Sequence, residues 1–74
     1  MDDIKFYKGL GEKIKFLRVR AALTQEKLAE KAGISLDYMG KIEVSINRPG
    51  LRTILKLARA LDVEPFEVVN LNIM

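Results

Sequence analysis

The sequence predicts a small all-α domain made of five short helices. Apolar residues recur at intervals of three and four along most of the chain, as they do on one face of a helix. Threonine, serine, glycine and proline stand at the points where these apolar patterns start and stop. The 74 residues, 49% of them hydrophobic and 31% charged, suffice for one compact domain without a second core. We therefore treat residues 1–74 as a single domain with its core at about 10–69.

The first helix is predicted to run from about Leu10 to Ala22. Its apolar positions follow the i, i+4, i+7 spacing of a buried stripe, and its cations fall on the other side. The predicted stripe consists of Leu10, Ile14, Leu17 and Ala21. The predicted outward-facing cations are Lys13, Lys15 and Arg20. We therefore expect this helix to pack with one face on the rest of the domain.

Two short amphipathic patterns follow at about 25–32 and 36–44, hinged at Gly33. Thr24 and Ser35 each precede one of them, and their hydroxyls can accept a hydrogen bond from an orphan amide of the first helical turn. Gly33 stands where a chain leaving a helix often needs a positive φ, which glycine adopts at little cost. The predicted inward-facing residues are Leu28, Ala29, Ala32, Met39 and Ile42. The predicted outward face of the second helix consists of Leu36, Asp37, Gly40 and Lys41.

This order of cap, small residue, glycine and cap predicts a helix-turn-helix. The pattern occupies the twenty residues from Thr24 to Glu43. Two helices joined so tightly suit one task above others, which is to place the second helix in the major groove of DNA. The sequence therefore predicts a DNA-binding element at helices two and three.

Two further helices are predicted after a polar loop at residues 45–50. The fourth helix, at about 51–61, has a leucine-rich stripe, and Pro65 suits the first turn of a fifth helix that extends to about residue 70. The predicted stripe of the fourth helix consists of Leu51, Ile54, Leu57, Ala58 and Leu61. Residues 71–74 alternate between apolar and polar, so a short strand is the alternative for this tail.

The composition excludes several classes of function. The chain contains neither cysteine nor histidine, which excludes disulfides, thiolate zinc sites and imidazole acid–base chemistry. No nucleophile–base pair is present, so we expect no enzyme, no metal and no cofactor. The apolar runs are far shorter than the roughly 20 residues of a membrane span, and the acidic N-terminus does not resemble a secretory signal. We expect a cytoplasmic protein without a membrane partner.

The charge distribution is compatible with a polyanionic partner. Residues 1–60 hold all 13 basic side chains against seven acidic ones, a net charge of +6, and residues 61–74 hold three acidic side chains and no basic one. A basic body and an acidic, apolar tail suggest a nucleic acid as the partner of one and a protein as the partner of the other. Ordinary solvated helix faces would produce the same distribution, and this alternative stays open.

Several short motifs, in this order and spacing, resemble the phage-repressor-like (lambda-repressor and Cro) helix-turn-helix family from about Leu10 to Val69. The motifs are LR at 17–18, TQ at 24–25, LAEKAG at 28–33, S-x-x-Y-x-x-K-I-E at 35–43, NRP at 47–49 and LRTILKLARAL at 51–61. The chain departs from the family at three positions. Ala22 and Ser45 stand where glycine is usual, and Gly50 stands where serine or threonine usually caps the next helix.

The resemblance implies a set of site residues. The implied base-reading residues are Leu36, Asp37 and Lys41. The implied contacts to the DNA backbone are Gln25, Ser35, Tyr38, Asn47, Arg48 and Arg52. The family's structural ion pair corresponds to Arg18 and Glu43. Three alternatives stay open: Gln25 as a solvated polar residue, Asp37 as a stabiliser of the helix dipole, and Tyr38 as a packing residue.

The resemblance also implies a function, namely a stand-alone transcription regulator similar to Cro-like repressors, prophage regulators and restriction–modification controllers. We expect it to bind double-stranded DNA as a homodimer on a pseudo-palindromic operator, with residues 65–74 as the dimerisation segment. The predicted interface residues are Phe66, Val68, Val69, Leu71, Ile73 and Met74. The alternative for the tail is that it folds back on its own monomer or frays. The alternative function is an antitoxin or small adaptor that binds an unknown protein.

Overall fold

The computed structural model describes residues 2–72 and contains five helices in this range. The helices are α1 (Asp3–Arg20), α2 (Gln25–Ala32), α3 (Leu36–Glu43), α4 (Leu51–Leu61) and α5 (Pro65–Val69). The predicted all-α fold of five helices is confirmed. Leu71 and Asn72 form no strand, and the remaining tail residues, Ile73 and Met74, lie outside the described residues.

Helix α1 begins seven residues earlier than the sequence pattern predicted. Asp2 caps it, since its Oδ1 accepts hydrogen bonds from the amides of Ile4 (3.0 Å) and Lys5 (3.4 Å). Gly9 lowers the helix propensity of this stretch, but glycine is favoured there by packing. A Cβ at Gly9 would lie 2.9 Å from Leu71 Cδ1, so the chain after α5 crosses α1 closely at this point.

One apolar core joins the helices, and α4 packs on both α2 and α5. The largest fully buried side chains are Leu10, Ile14, Leu17, Leu28, Met39, Ile42, Leu57 and Val68. Two predicted core positions are wrong. Leu51 is 70% exposed because it is the first residue of α4 and its side chain points back beyond the end of the helix. Ala21 is exposed because α1 has already ended at Arg20.

Lys13 is buried, with 4% of its surface exposed, although the sequence pattern placed it outward. It lies four residues after Gly9 and seven before Arg20, which puts all three on one side of α1. That side faces α5 and the residues after it, because Gly9 meets Leu71 and Arg20 forms an ion pair with Glu67. The tertiary packing of α5 therefore buries a long side chain that helical periodicity alone leaves in solvent.

Three turns use an L-residue in the left-handed conformation that usually favours glycine, one of them at Asp62 after α4 with φ +58°. Ala22 follows α1 with φ +60°, and Ser45 follows α3 with φ +65°. These are the two positions where the sequence departs from the glycine of the family. Each left-handed L-residue costs roughly 1–2 kcal/mol. The Ser45 hydroxyl offsets part of that cost by donating to the Tyr7 carbonyl at 3.0 Å.

The described part of the chain, residues 2–72, holds no helix with both the length and the apolar character needed to span a bilayer. The molecule measures 32 × 22 × 20 Å along its principal axes. Its long dimension is therefore comparable to one turn of DNA, about 34 Å.

Candidate nucleic-acid interface

Helices α2 and α3 are set by two side-chain caps and one glycine turn. The Thr24 hydroxyl accepts from the amide of Lys27 at 3.0 Å, and the Ser35 hydroxyl accepts from the amide of Tyr38 at 3.0 Å. Gly33 has φ +71°, which lets the chain leave α2 and turn at once into α3. The predicted turn, with both caps, is therefore present.

Behind this turn, Arg18, Glu43 and Gln25 form one hydrogen-bonded network. Arg18 Nε donates to Glu43 Oε2 at 2.7 Å and its Nη2 donates to Oε1 at 3.2 Å, while its Nη1 donates to the Leu23 carbonyl at 2.8 Å. The two charged side chains are only 12% and 2% exposed. Gln25 Nε2 adds a third bond to the carboxylate, at 2.9 Å to Oε1. The network therefore links α1, the start of α2 and the end of α3.

The position of Gln25 bears on its predicted contact with a phosphate. One N–H of its amide is directed to Glu43, so a phosphate contact would use the other N–H. The amide oxygen lies 3.7 Å from the place where a Cβ on Gly40 would be. Gln25 is therefore held beside the middle of α3, and its phosphate contact stays a prediction.

The outward face of α3 carries the three predicted base-reading residues. Leu36 is 48% exposed. The side chains of Asp37 and Lys41 are 77% and 45% exposed, and their Oδ2 and Nζ atoms lie 2.9 Å apart in an i,i+4 ion pair. Met39 and Ile42, on the opposite face, are buried in the core. Helix α3 thus exposes one apolar side chain, Leu36, and one ion pair, Asp37–Lys41, on its outward face.

The loop after α3 brings further polar side chains to the same region. The amides of Ile46 and Asn47 both donate to the Lys41 carbonyl, at 2.8 and 3.2 Å, so the loop folds back over the end of α3. Arg48 is exposed, and its guanidinium carbon lies 4.7 Å from the centroid of the Tyr7 ring. Arg52 is exposed in the first turn of α4. The loop that carries Asn47 and Arg48 therefore begins against the end of α3, and the contacts of Asn47, Arg48 and Arg52 with the DNA backbone stay predictions.

Two of the expected backbone contacts have a structural task in the free protein. The Ser35 hydroxyl already accepts the amide of Tyr38, and Tyr38 is half-buried with its side chain packed against the core. Sequence reasoning also missed one residue of this region, Tyr7, because the family resemblance begins only at Leu10. The signal that predicts an earlier start of α1, and so includes Tyr7, is Asp2 as an N-cap followed by an acidic residue in the first turn.

The predicted dimer segment divides into residues that are buried and residues that are exposed. Val68 is fully buried, so its assignment to an interface between monomers is wrong. It is the inward residue of α5, and its neighbour Val69 points about 100° away and is 38% exposed. Phe66 is 66% exposed, and Leu71 is half-buried against Gly9 of α1. The acidic tail is also partly used inside the monomer, because Glu67 pairs with Arg20 at 3.7 Å.

These features define a class of protein. Two capped helices at a glycine turn, the second with a buried apolar face and an exposed polar face, form a helix-turn-helix, the element with which many regulators bind DNA. The model of the helix-turn-helix family matches residues 14–68. The chain therefore belongs to the helix-turn-helix family, in its phage-repressor-like branch.

Three known proteins are similar to this chain. An immunity repressor protein of Bacillus phage phi105 is 38% identical over 60 residues, which are 81% of this chain and 42% of the repressor. The chain thus spans less than half the length of that relative. The restriction-modification controller protein C.AhdI from Aeromonas hydrophila has 39% identity and a TM-score of 0.82, with 84% of this chain and 94% of the controller covered. The hypothetical transcription factor NHTF from Neisseria has 26% identity and a TM-score of 0.84, with 92% and 76% covered.

The names of these relatives describe a repressor, a controller and a transcription factor, and none describes an enzyme. Within residues 2–72, no three His, Cys, Asp or Glu side chains are grouped as a metal site would need.

Proposed function

We propose that this chain is a sequence-specific regulator of transcription that binds double-stranded DNA through the outward face of α3. One observation carries the proposal: Leu36, Asp37 and Lys41 are exposed on one face of a helix whose other face is buried in the core. A helix held in this way can enter the major groove without losing its packing on the domain. The similarity to the three regulators supports the same function.

The chemistry of the three side chains defines their proposed roles. Lys41 donates to guanine O6 and N7, Asp37 accepts from cytosine N4, and Leu36 covers a thymine methyl group. The Asp37 carboxylate neutralises Lys41 in the free protein, at 2.9 Å. A G·C pair offers the adjacent acceptors N7 and O6 of guanine to Lys41 and the N4 donor of cytosine to Asp37, whereas in an A·T pair the N6 donor separates the acceptors N7 and O4. The two side chains together therefore favour G·C over A·T. A phosphate cannot replace the contact between Asp37 and Lys41 in this way, because the Asp37 carboxylate repels it.

The proposed contacts to phosphates surround this face. Gln25 lies at the N-terminus of α2, where backbone amides and the helix dipole favour an anion. Asn47, Arg48 and Arg52 lie on the loop and the first turn of α4. Such contacts fix the position of the domain on the duplex and carry no sequence information themselves.

Two variants with matched controls test this binding mode. Lys41→Ala should weaken discrimination at one base pair by roughly 1–3 kcal/mol, because one base-edge contact is lost. Lys15→Ala, which removes an exposed lysine from α1, is the control for net charge. Arg48→Ala should weaken binding to all sequences alike and reduce the slope of log affinity against log salt by about 0.9. Arg59→Ala, at the far end of α4, is its control.

The readout is the affinity for a duplex that the wild-type chain selects from a random pool, measured at several salt concentrations. Unchanged affinity and unchanged selectivity in both Lys41→Ala and Arg48→Ala would rule out the proposed face. Equal losses in Lys15→Ala and Lys41→Ala would mean that net charge alone drives binding.

We further propose that two copies bind a pseudo-palindromic operator as a homodimer. One monomer carries a single α3, and two-fold pairing would place two such helices about 34 Å apart on one face of the duplex. Phe66 and Val69 remain exposed three residues apart on α5, so they adjoin on one face of the helix, and a contiguous exposed apolar patch favours an interface. Val68 takes no part, since it is buried in the monomer.

Sedimentation of a surface variant tests the homodimer. Phe66→Ser should dissociate it, because the largest exposed apolar side chain of α5 is lost. Leu51→Ser is the matched control, since Leu51 is 70% exposed and lies on α4. A wild-type chain that stays monomeric up to about 100 micromolar would contradict the proposal, because the dissociation constant would then exceed the micromolar range.

A further inference from the structure

The first two turns of α1 pack on the loop that follows α3. The Tyr7 carbonyl accepts from the Ser45 hydroxyl at 3.0 Å, and the Tyr7 ring lies 4.7 Å from the guanidinium carbon of Arg48. Phe6 supports the tyrosine from the side, with ring centroids 5.2 Å apart and an interplanar angle of 82°. One residue of α1 thus contacts the loop through both its backbone and its ring.

The position of Tyr7 is fixed by the packing of α1 against the end of α3. A Cβ on Gly11 would lie 2.6 Å from the Ile42 carbonyl oxygen and 2.8 Å from that of Glu43. The two backbones are therefore in direct contact one helical turn after Tyr7. A ring attached to this rigid contact holds its place relative to α3.

The contact with the Tyr7 ring leaves the N–H donors of Arg48 unused. Among residues 2–72, the Arg48 side chain forms a ring contact with Tyr7 and no hydrogen bond or ion pair, and it is exposed. A cation over an aromatic ring is attracted by the face of the ring, and this attraction uses none of the five guanidinium N–H donors. All five donors therefore stay available to an anion, although the long side chain is already held in place.

We propose that Tyr7 is a positioning residue that holds Arg48 ready to bind a DNA phosphate. The proposal rests on the proposed function and deepens it, because it assigns part of the backbone contact to the start of α1, outside the helix-turn-helix. Free arginine side chains lose rotamer freedom when they are immobilised on binding, and an arginine already ordered by the ring avoids part of this loss. Loss of the ring should therefore weaken DNA binding about three- to tenfold through Arg48 alone.

A double-mutant cycle tests the coupling between the two residues. Tyr7→Met fills similar space without an aromatic face, and Tyr7→Phe keeps the face without the hydroxyl. Each is combined with Arg48→Ala, and affinity is measured against the selected duplex and a random duplex over a range of salt. Phe16→Leu is the control, because it removes another aromatic ring of α1 that lies beside Lys13 and Arg20 and contacts neither Tyr7 nor Arg48.

We expect Tyr7→Met to bind both duplexes more weakly than the wild type and Tyr7→Phe to bind them as tightly as the wild type. In the Arg48→Ala background, Tyr7→Met should have no further effect. Equal losses with and without Arg48 would show a general structural role and overturn the proposal, as would unchanged binding in Tyr7→Met. Lys41→Ala is measured on the same duplexes. If Lys41→Ala loses sequence selectivity while Tyr7→Met binds like the wild type, only the positioning role of Tyr7 is refuted. A wild-type chain without affinity for DNA would refute both.

A measurement on the wild-type chain keeps the proposal testable if Tyr7→Met does not fold. The Tyr7 ring current should shift the NMR signals of the Arg48 side-chain methylene protons upfield in the free protein. The shift should persist when the selected duplex is bound, since the ring and the phosphate use different parts of the guanidinium. Its disappearance on binding would show that Arg48 leaves the ring to reach DNA, which would overturn the proposal.

Discussion

Removal of either partner of the Arg18–Glu43 ion pair should destabilise the protein far more than removal of both. In Arg18→Met, the Glu43 carboxylate remains 2% exposed and keeps only the hydrogen bond from Gln25. A buried charge without its partner costs about 3–5 kcal/mol. In Glu43→Leu, Arg18 is 12% exposed and keeps its bond to the Leu23 carbonyl, so the loss should fall near the lower end of that range.

The double variant Arg18→Met, Glu43→Leu removes both charges and fills the space with apolar atoms. Replacing a buried pair in this way is often close to neutral, so the double variant should be more stable than Arg18→Met alone. The coupling energy between the two substitutions should therefore reach about 2–3 kcal/mol, which is the upper end of the range of coupling energies for residues in contact. A domain of this size is stable by only about 4–11 kcal/mol, so the single variants should lose a large part of it.

Urea denaturation, monitored by circular dichroism, measures these free energies of unfolding. The slope of the unfolding free energy against urea concentration should be the same for each variant. Lys27→Met and Glu30→Leu, which break an exposed i,i+3 pair at 3.6 Å, form the control cycle and should show coupling of only a few tenths of a kcal/mol. Strictly additive losses for Arg18 and Glu43 would mean that the two side chains do not interact. A larger loss in Glu43→Leu than in Arg18→Met would refute the argument from unequal burial.

Two further predictions concern backbone positions. Ala22→Gly should raise stability by about 0.5–1 kcal/mol, because relief of the left-handed conformation exceeds the entropy that glycine adds to the unfolded chain. Ser45→Gly should be nearly neutral in thermal melting, since it gains the same relief and loses the bond to the Tyr7 carbonyl; equal gains would contradict this. Gly40→Ala should stabilise the free protein by about 0.5–1 kcal/mol, because the new Cβ would meet only Gln25 Oε1, at 3.7 Å. It should also weaken DNA binding, and unchanged affinity in a titration would mean that DNA does not approach α3 closely there.

The local architecture around the turn follows from short-range sequence features. Thr24 and Ser35 cap their helices with hydroxyl groups that bond amides three residues away, and Gly33 adopts the left-handed conformation that the turn requires. These features depend on neighbours within one helical turn, so a single sequence is enough to predict them. The bounds of α2 and α4 and the buried faces of α2 and α3 followed for the same reason.

The family resemblance supplied one long-range contact that periodicity could not. Arg18 and Glu43 are 25 residues apart, and the structure contains the ion pair that the resemblance implied. It did not indicate that Gln25 joins the same carboxylate. The assignments of bases and phosphates to individual residues stay predictions, because they depend on a partner outside the chain.

Helical periodicity does not show which residues beside an apolar stripe become buried, because that depends on how the helices pack on one another. Val68 and Val69 are equally apolar neighbours, and the packing of α5 on α1 and α4 buries the first and leaves the second exposed. The same packing buries Lys13, and the early start of α1 brings Tyr7 to Arg48 across 41 positions of sequence. Capping and periodicity act over a few residues, whereas these contacts depend on how distant helices meet, and that geometry is a property of the whole core.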